Sequence, residues 1–347
     1  MVSAESWLIA DGSVALEAHN EAQVKQIGSL SKIMLALLVI EEAADNPSFL
    51  STIVVVSARA ARVTGTSAGL SMGDRLTIRD LLYGLLLPSG NDAAVALAEA
   101  LAITYPPAGL ELLDRTIDRM NRRAKKLGMR DTQFVDVHGM AANLSTARDL
   151  LIMVDQAMTD SLFRTIVASE HHTPQVREGR GGLRNIEWDN TNKLLSEFDG
   201  VKTGYTHAAG GCLILNRTEA GRHLRVIVLG SDNQQTRFRD AYNLFQWFKN
   251  RSTITEGPSS GINQALRNSL LAVVLCNGLF SFKRPLPSIL KTELTFLNVE
   301  HFGGLLDEEF VIKRDSKSVT VGGTASSPPI TARFKHGSGC SVHTEIR

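Results

Sequence analysis

Along this chain the apolar positions follow two rhythms. Short runs bounded by turn residues predict strands. Residues 6–15 read as two short strands around a turn at Asp11-Gly12, and Ile53 to Ser57 as a third. Gly210 to Leu215 and Leu224 to Leu229, joined through Glu219-Ala220-Gly221, read as an antiparallel hairpin, preceded by a strand over Asp199 to Tyr205. Longer runs predict helices. The segment from Ser29 to Ala44 is apolar almost throughout, the mark of a helix buried on all sides. Thr77 caps a helix reaching Leu87, and Ala93 to Ala102 forms another that Tyr105-Pro106-Pro107 ends. Residues 109–127 are amphipathic and stop at Gly128, Ser145-Thr146 opens a helix through Met158, and Gln234 to Phe248 carries a core stripe at helical spacing.

Between these elements lie polar stretches. Residues 62–72 and the loop from Phe134 to Asn143 link helical parts, and residues 170–195 are polar and turn-rich. Near residue 250 the texture changes. Ser252 to Ser260 is a Ser/Thr/Gly/Pro linker, and Leu270 to Phe282 is an apolar run interrupted by Asn277-Gly278. Short β-like pieces (Phe310-Val311-Ile312 and Val319-Thr320-Val321) follow in a Ser/Gly/Pro-rich background. The pattern divides the chain into residues 1–250 and a C-terminal segment, 251–347, read either as a small β domain or as partly disordered.

Composition narrows the class. With 347 residues, 43% hydrophobic and 21% charged, the chain has the balance of a soluble globular protein able to bury a sizeable core. A net charge of +1 gives no electrostatic case for a nucleic-acid partner. The three cysteines, Cys212, Cys276 and Cys340, are far apart and none sits at metal-ligand spacing. No stretch of about 20 apolar residues predicts a spanning helix. The first residues, Met1-Val2-Ser3-Ala4-Glu5, lack the basic-then-apolar pattern of an export signal.

Three short motifs carry candidate chemistry. In Gly28-Ser29-Leu30-Ser31-Lys32, a serine and a lysine three apart share a helix face, the spacing needed if a lysine amine is to deprotonate a serine nucleophile. A lysine in such apolar surroundings is desolvated, and a second cation nearby would lower its pKa further, towards the range of a neutral-pH base. The plainer alternative makes Ser29 an N-cap. Pro88-Ser89-Gly90-Asn91-Asp92 breaks two apolar helices. It reads as a break with a cap, or as a rigid turn holding a hydroxyl and an amide in a cleft. On a strand, Lys202-Thr203-Gly204 offers charge, a hydrogen bond and room for close approach, which suits a carboxylate, or is an ordinary strand with a surface lysine. For His138, in the loop after Phe134, no partner is evident and a structural role is expected.

The three motifs together, in this order, resemble the serine D-alanyl-D-alanine carboxypeptidases, the low-molecular-mass penicillin-binding proteins of peptidase family S11. The likeness extends to Gly73-Asp74-Arg75-Leu76-Thr77 with Gly84 through Ala93, to Thr132-Gln133-Phe134-Val135 with His138-Gly139 and Ser145 through Leu150, and to Asp199 through Gly210, so that it covers about residues 5–250. It implies an α+β fold of the β-lactamase/transpeptidase kind, an antiparallel sheet flanked by helices with a helical subregion carrying Ser89. It also implies roles. Ser29 attacks the carbonyl between two D-alanines, Lys32 takes its proton and Ser89 relays a proton to the leaving D-alanine. Asn91 holds the substrate amide, Lys202 and Thr203 bind the terminal carboxylate with Gly204 beside them, and the N–H groups of Ser29 and Tyr205 form an oxyanion hole. Peptidoglycan stem peptides are the implied substrates and β-lactams the implied acylating mimics, with no metal or organic cofactor, and the implied place of work is extracytoplasmic.

The chain departs from the family at Val135-Asp136-Val137-His138, where Asn-Pro is more frequent. Altered rigidity, more than altered chemistry, is expected there. After residue 250 the likeness to the family's β domain and anchoring helix ends, so membrane association has no spanning helix to support it, and the run Leu270 to Phe282 reads either as a buried helix or as an interfacial anchor. Three rivals use the same scaffold. A DD-endopeptidase would cut cross-links with the same residues. A class A β-lactamase would carry Asp in place of Gly90 and an acidic residue on a later loop, for which no candidate stands out. A non-catalytic wall-binding protein would be expected to have lost at least one of Ser29, Lys32, Ser89 and Lys202.

Overall fold

Five strands build the central sheet of the computed structural model: β1 (Ser6–Asp11), β2 (Val14–His19), β3 (Val201–Thr206), β4 (Gly210–Glu219) and β5 (Arg222–Ser231). They pair antiparallel throughout in the order β3-β4-β5-β1-β2. The N-terminal strand thus closes onto the last hairpin, Ser6 opposite Leu229, so the sheet joins the two ends of this unit. The structure describes residues 2–104 and 110–256 together with four later strands. Residues 1–249 and 250–347 form two separate units.

Successive strand residues point to opposite faces, and both faces of this sheet are covered. Leu8, Ala10, Cys212, Ile214, Ile227 and Leu229 join the larger core. The alternate residues Ile9, Leu213, Leu215, Val226 and Val228 join a smaller one with Phe238, Leu244 and Phe245. This double cover is why β4 and β5 read as unbroken apolar runs instead of alternating ones. The smaller core is closed by the helix Thr236–Glu256. On the other face lies the helix Lys32–Asp45, here called α1, whose ten buried residues bear out the expectation of a helix enclosed all round.

The helical subregion implied by the resemblance follows in chain order: α2 (Ile78–Leu86), α3 (Asn91–Thr104), α4 (Leu112–Leu127), α5 (Ala147–Met158) and α6 (Ser161–Ala168), with Thr236–Glu256 as α7. Their ends obey local chemistry. The Thr77 hydroxyl accepts from the Asp80 N–H at 3.0 Å and the Thr146 hydroxyl from the Asp149 N–H at 3.1 Å, both N-caps. Gly128, with φ +87°, closes α4 in the left-handed region. Helix α6 went unpredicted. In the turn-rich region 170–195, Gln175–Arg177 and Leu183–Asn185 pair into a small sheet with Arg75–Thr77 and Ile53–Val55, and the two-residue strands His171–His172 and Trp188–Asp189 pair with each other.

The two edges of the central sheet differ. Strand β2 is mostly exposed, whereas β3 is buried from Val201 to Gly204, with the turn Gly28–Ser31 that leads into α1 packed against it. The covered edge is where the three motifs meet. In the second unit, Ile312–Arg314, Ser318–Val321, Ile330–Phe334 and Cys340–Val342 pair as an antiparallel meander in chain order. Tyr105-Pro106-Pro107, the linker Ser252 to Ser260 beyond Glu256, and the apolar run Leu270 to Phe282 lie outside the described residues. Among the described residues no helix is long and apolar enough to cross a membrane.

Candidate active site

Ser29 stands in a single 3₁₀ turn, Gly28–Ser31, and α1 starts only at Lys32. The expected helix start at Ser29 is therefore shifted by one turn. Neither the turn nor α1 has a side-chain cap, so the N-cap reading of Ser29 fails. Ser29 is half-buried while Lys32 is fully enclosed. The Lys32 Nζ lies 2.9 Å from Ser29 Oγ, 2.8 Å from Asn91 Oδ1 and 2.6 Å from the carbonyl oxygen of His138.

The His138 carbonyl can only accept. The Asn91 oxygen is held towards Lys32 because its Nδ2 donates to the Thr64 carbonyl at 2.6 Å. The amine donates to both of these and to Ser29 Oγ, while the Ser29 O–H lies 3.4 Å from the His138 carbonyl, so loss of one amine proton frees a lone pair within reach of the Ser29 hydroxyl. Burial lowers the Lys32 pKa to about 7, against the pull of the Asp136 and Asp92 carboxylates, which raise it. The second cation expected to depress Lys32 is present, but its effect is seen on the other lysine. Lys202 is fully buried and held well below its ordinary value, first by burial and then by the charges of Lys32 and Arg237.

Ser89, Gly90 and Asn91 form the corner between α2 and α3. The Gly90 N–H donates to the Gly84 carbonyl at 2.9 Å, and the Asn91 N–H to the Thr66 carbonyl at 2.8 Å. Ser89 has φ +65°, a left-handed conformation uncommon for serine. Its hydroxyl is buried and has no hydrogen-bond partner among the described residues. Beside it Asp92 ties down the 62–72 loop, accepting from the Ala68 and Leu70 N–H groups at 2.8 and 3.1 Å and from the Ser67 hydroxyl at 2.5 Å.

On β3 the register places Lys202 opposite Ile214 and Gly204 opposite Cys212, on the face that carries α1. The Lys202 Nζ donates to the Thr203 carbonyl at 3.0 Å. Thr203 leaves the strand on the other side, and its hydroxyl meets that of Thr191 at 2.7 Å. Lys202 and Thr203 therefore do not project side by side. The room that Gly204 provides is taken by the protein itself. A Cβ there would lie 2.8 Å from the Ile27 carbonyl, so the serine turn, not a ligand, makes the close approach. Tyr205 follows, half-buried, with its backbone N beside Gly28.

Several residues that pattern reading passed over belong to this site. Arg237, from α7, is buried, donates to the Gly204 carbonyl at 2.7 Å and leaves its Nε without a partner among the described residues. Only a buried cation on an otherwise apolar stripe could have hinted at it. His138 contributes its carbonyl, while its Nδ1 lies 3.1 Å from Asp136 Oδ2. Gly139, with φ +93°, lets this loop touch the serine turn, since a Cβ there would fall 2.2 Å from the Gly28 carbonyl oxygen. Among the described residues no group of three or more His, Cys, Asp or Glu is arranged to hold a metal.

Comparison with known proteins agrees on one family. The D-alanyl-D-alanine carboxypeptidase family, Peptidase_S11, matches residues 1–233. A Streptomyces D-alanyl-D-alanine carboxypeptidase is 35% identical over 232 residues, 64% of this chain and 78% of its own length. The Escherichia coli D-alanyl-D-alanine carboxypeptidase DacD is 32% identical over 271 residues, covering 74% of this chain and 65% of the relative, just under two thirds of its length. A D-alanyl-D-alanine endopeptidase of Pseudomonas aeruginosa is 27% identical over 251 residues, 70% of this chain and 76% of its own. Among solved structures, a Streptomyces DD-transpeptidase is 32% identical with a TM-score of 0.66, covering 71% of this chain and 97% of the other. Penicillin-binding protein D2 of Listeria monocytogenes, in an ampicillin-bound form, is 28% identical with a TM-score of 0.59, covering 71% and 97%. The fold is thus that of the DD-peptidases.

Proposed function

From the premise that this chain belongs to the serine D-alanyl-D-alanine carboxypeptidase family S11, we propose that it removes the terminal D-alanine from peptidoglycan pentapeptides, with residues 1–249 as the catalytic unit. The observation that carries the proposal is the Lys32 amine, enclosed, 2.9 Å from Ser29 Oγ and held by two acceptor-only partners. Once such an amine has lost a proton, its lone pair lies within reach of that hydroxyl, which is what a general base requires.

The steps follow from that geometry. Ser29 Oγ attacks the carbonyl carbon of the penultimate D-alanine as its proton passes to Lys32 Nζ. The oxyanion is held by the backbone N–H groups of Ser29 and Tyr205. Collapse breaks the peptide bond, and the proton held by Lys32 reaches the leaving nitrogen through the Ser89 hydroxyl, whose unpaired, buried state suits a relay. Asn91 orients Lys32 and borders the substrate amide. The terminal carboxylate lies against Lys202 and Arg237, two buried basic groups with no ion-pair partner among the described residues, while Thr203, on the other face of the strand with its hydroxyl against Thr191, acts on the carboxylate only through the strand it shares with Lys202. Gly204 serves the packing that brings β3 against the serine turn. Water then attacks the acyl-enzyme and releases the shortened peptide and Ser29. No step calls for a metal or organic cofactor. A β-lactam acylates Ser29 by the same first step and stays. Peptidoglycan as substrate places the reaction outside the cytoplasmic membrane.

Intact-protein mass after exposure to a β-lactam tests the nucleophile. The expected result is one adduct on the wild type, mapped to Ser29, and none on Ser29→Ala. Absence of an adduct on the wild type would remove the proposal. Likeness to an endopeptidase favours one second reading, cleavage of D-alanyl cross-links by the same acyl-serine. D-Alanine release from a pentapeptide, measured against cleavage of a cross-linked dimer, separates the two.

A further inference from the structure

We propose that Asp136 is a positioning residue for acylation: its carboxylate folds the loop that brings the His138 carbonyl to Lys32, and its negative charge acts on the Lys32 amine. This rests on the reading of Lys32 as the base.

The loop is wound around this carboxylate. Asp136 Oδ1 accepts from the His138 N–H at 3.1 Å, the Gly139 N–H at 2.6 Å and Asn143 Nδ2 at 2.8 Å, while Oδ2 accepts from the Ala141 N–H at 2.6 Å. With these N–H groups turned inward, the His138 carbonyl is turned outward. It lies 2.6 Å from Lys32 Nζ and 3.4 Å from Ser29 Oγ. From the other side Asn143 closes the turn, its Oδ1 accepting from the Val135 and Asp136 N–H groups at 2.7 and 3.1 Å. Burial raises its pKa, but the His138 ring, 3.1 Å from Oδ2, and the Ala141 and Gly139 N–H groups outweigh that and hold it well below the usual carboxylate range.

An asparagine could keep the Oδ1 bonds, but its amide N–H₂ would face the Ala141 N–H. It would also take away the charge. That matters because Lys32 is enclosed. The groups around it are Ser29 from its own turn, Asn91 and Asp92 from the start of α3, His138 and Asp136 from the loop, and Lys202 from β3 with Arg237 behind. Asp136 and Asp92 are the two carboxylates in this set, and Asp92 is saturated by the 62–72 loop. On this proposal the departure from the family pattern at Val135-Asp136-Val137-His138 bears on the chemistry of Lys32 as well as on rigidity.

The experiment is the rate of acylation by a fluorescent penicillin from pH 5 to 9, for wild type, Asp136→Asn, Asp136→Glu and Asp136→Ala. Removing the negative charge lets Lys32 lose its proton more readily. In Asp136→Asn the acidic limb should move to lower pH by about 1 unit, and in Asp136→Glu it should stay in place. Asp136→Ala, lacking both loop and charge, should also acylate at least about tenfold more slowly at its optimum. An acidic limb unchanged in Asp136→Asn overturns the charge effect, and wild-type acylation in Asp136→Ala overturns the positioning effect. Should Asp136→Asn not fold, a limb displaced in the charge-keeping Asp136→Glu overturns the charge effect in its place. A wild type that is never acylated is a failure of the proposed function instead. In that case the Lys32 ¹³Cε resonance, titrated in wild type and Asp136→Asn, still decides whether the carboxylate acts on the amine: equal midpoints reject it.

Discussion

The site contains two buried lysines, and the contrast between them explains the arrangement better than either alone. Lys32 and Lys202 are both enclosed, and burial is the largest cause of a lowered pKa in each. Their neighbours differ. Around Lys32 are three hydrogen-bond partners and two carboxylates, which hold its pKa at about 7. Around Lys202 are one carbonyl and two further cations. The first environment suits an amine that gains and loses a proton near neutral pH. The second is a concentration of positive charge that an incoming carboxylate would relieve. On the proposed function, one residue type in one cleft serves two tasks, set by what surrounds it.

If this division holds, breaking Lys32 should cost the most. Lys32→Ala should slow acylation of Ser29 by about 10³-fold at every pH from 6 to 9, measured as the rate of adduct formation. A smaller loss that vanishes at high pH would mean that solvent, not Lys32, takes the proton. Lys202→Met should be milder. It removes a charge-assisted contact worth about 1.5–3 kcal/mol, so kcat/KM for an acyl-D-Ala-D-Ala peptide should fall about 10–100-fold. The same substitution should leave a C-terminally amidated peptide nearly unaffected. An equal loss on both peptides would remove the carboxylate from the Lys202 side of the comparison.

The wild-type pH profile sharpens the same contrast. With Lys32 as the proposed base, its neutral form is the active one, and burial lowers its pKa to about 7. Acylation should therefore rise about tenfold per pH unit below that value and level off above it. A limb centred near 10 would mean that Lys32 behaves as an ordinary exposed lysine.

How far the sequence could be read follows from how far apart the partners lie along it. Ser29 and Lys32 were legible because three residues on a helical path set their meeting locally. The central strands and α1 were legible because both faces of the sheet, and all sides of the helix, demand apolar residues. The rest of the site depends on contacts across the chain: Asn91 lies 59 residues from Lys32, and His138 lies 106 away. No periodicity marks such pairs, so Asp136 read as a loop residue and Arg237 as part of a stripe. The left-handed backbone at Ser89 is equally silent, since a serine does not signal that conformation as a glycine would. Strands of two or three residues within 170–195 are too short to carry an alternating pattern.

The smallest effect concerns the seam between the two lysines. Gly204 sits on β3 next to Thr203, and it was the supposed approach of a substrate that made a glycine there meaningful. In the structure the approach is made by the serine turn, with Ile27 O at 2.8 Å and the Leu30 side chain at 3.3 Å from where a Cβ would stand. Gly204→Ala should therefore push β3 away from the turn Gly28–Ser31 and cost about 1–3 kcal/mol of stability, read as a lower denaturation midpoint. Because Ser29 and Lys202 stand on opposite sides of that seam, acylation should slow as well. The loss should be equal for the peptide with a free carboxylate and the amidated one, since both must span the same widened gap. A loss confined to the free carboxylate, with stability unchanged, would instead return Gly204 to the substrate side of the cleft.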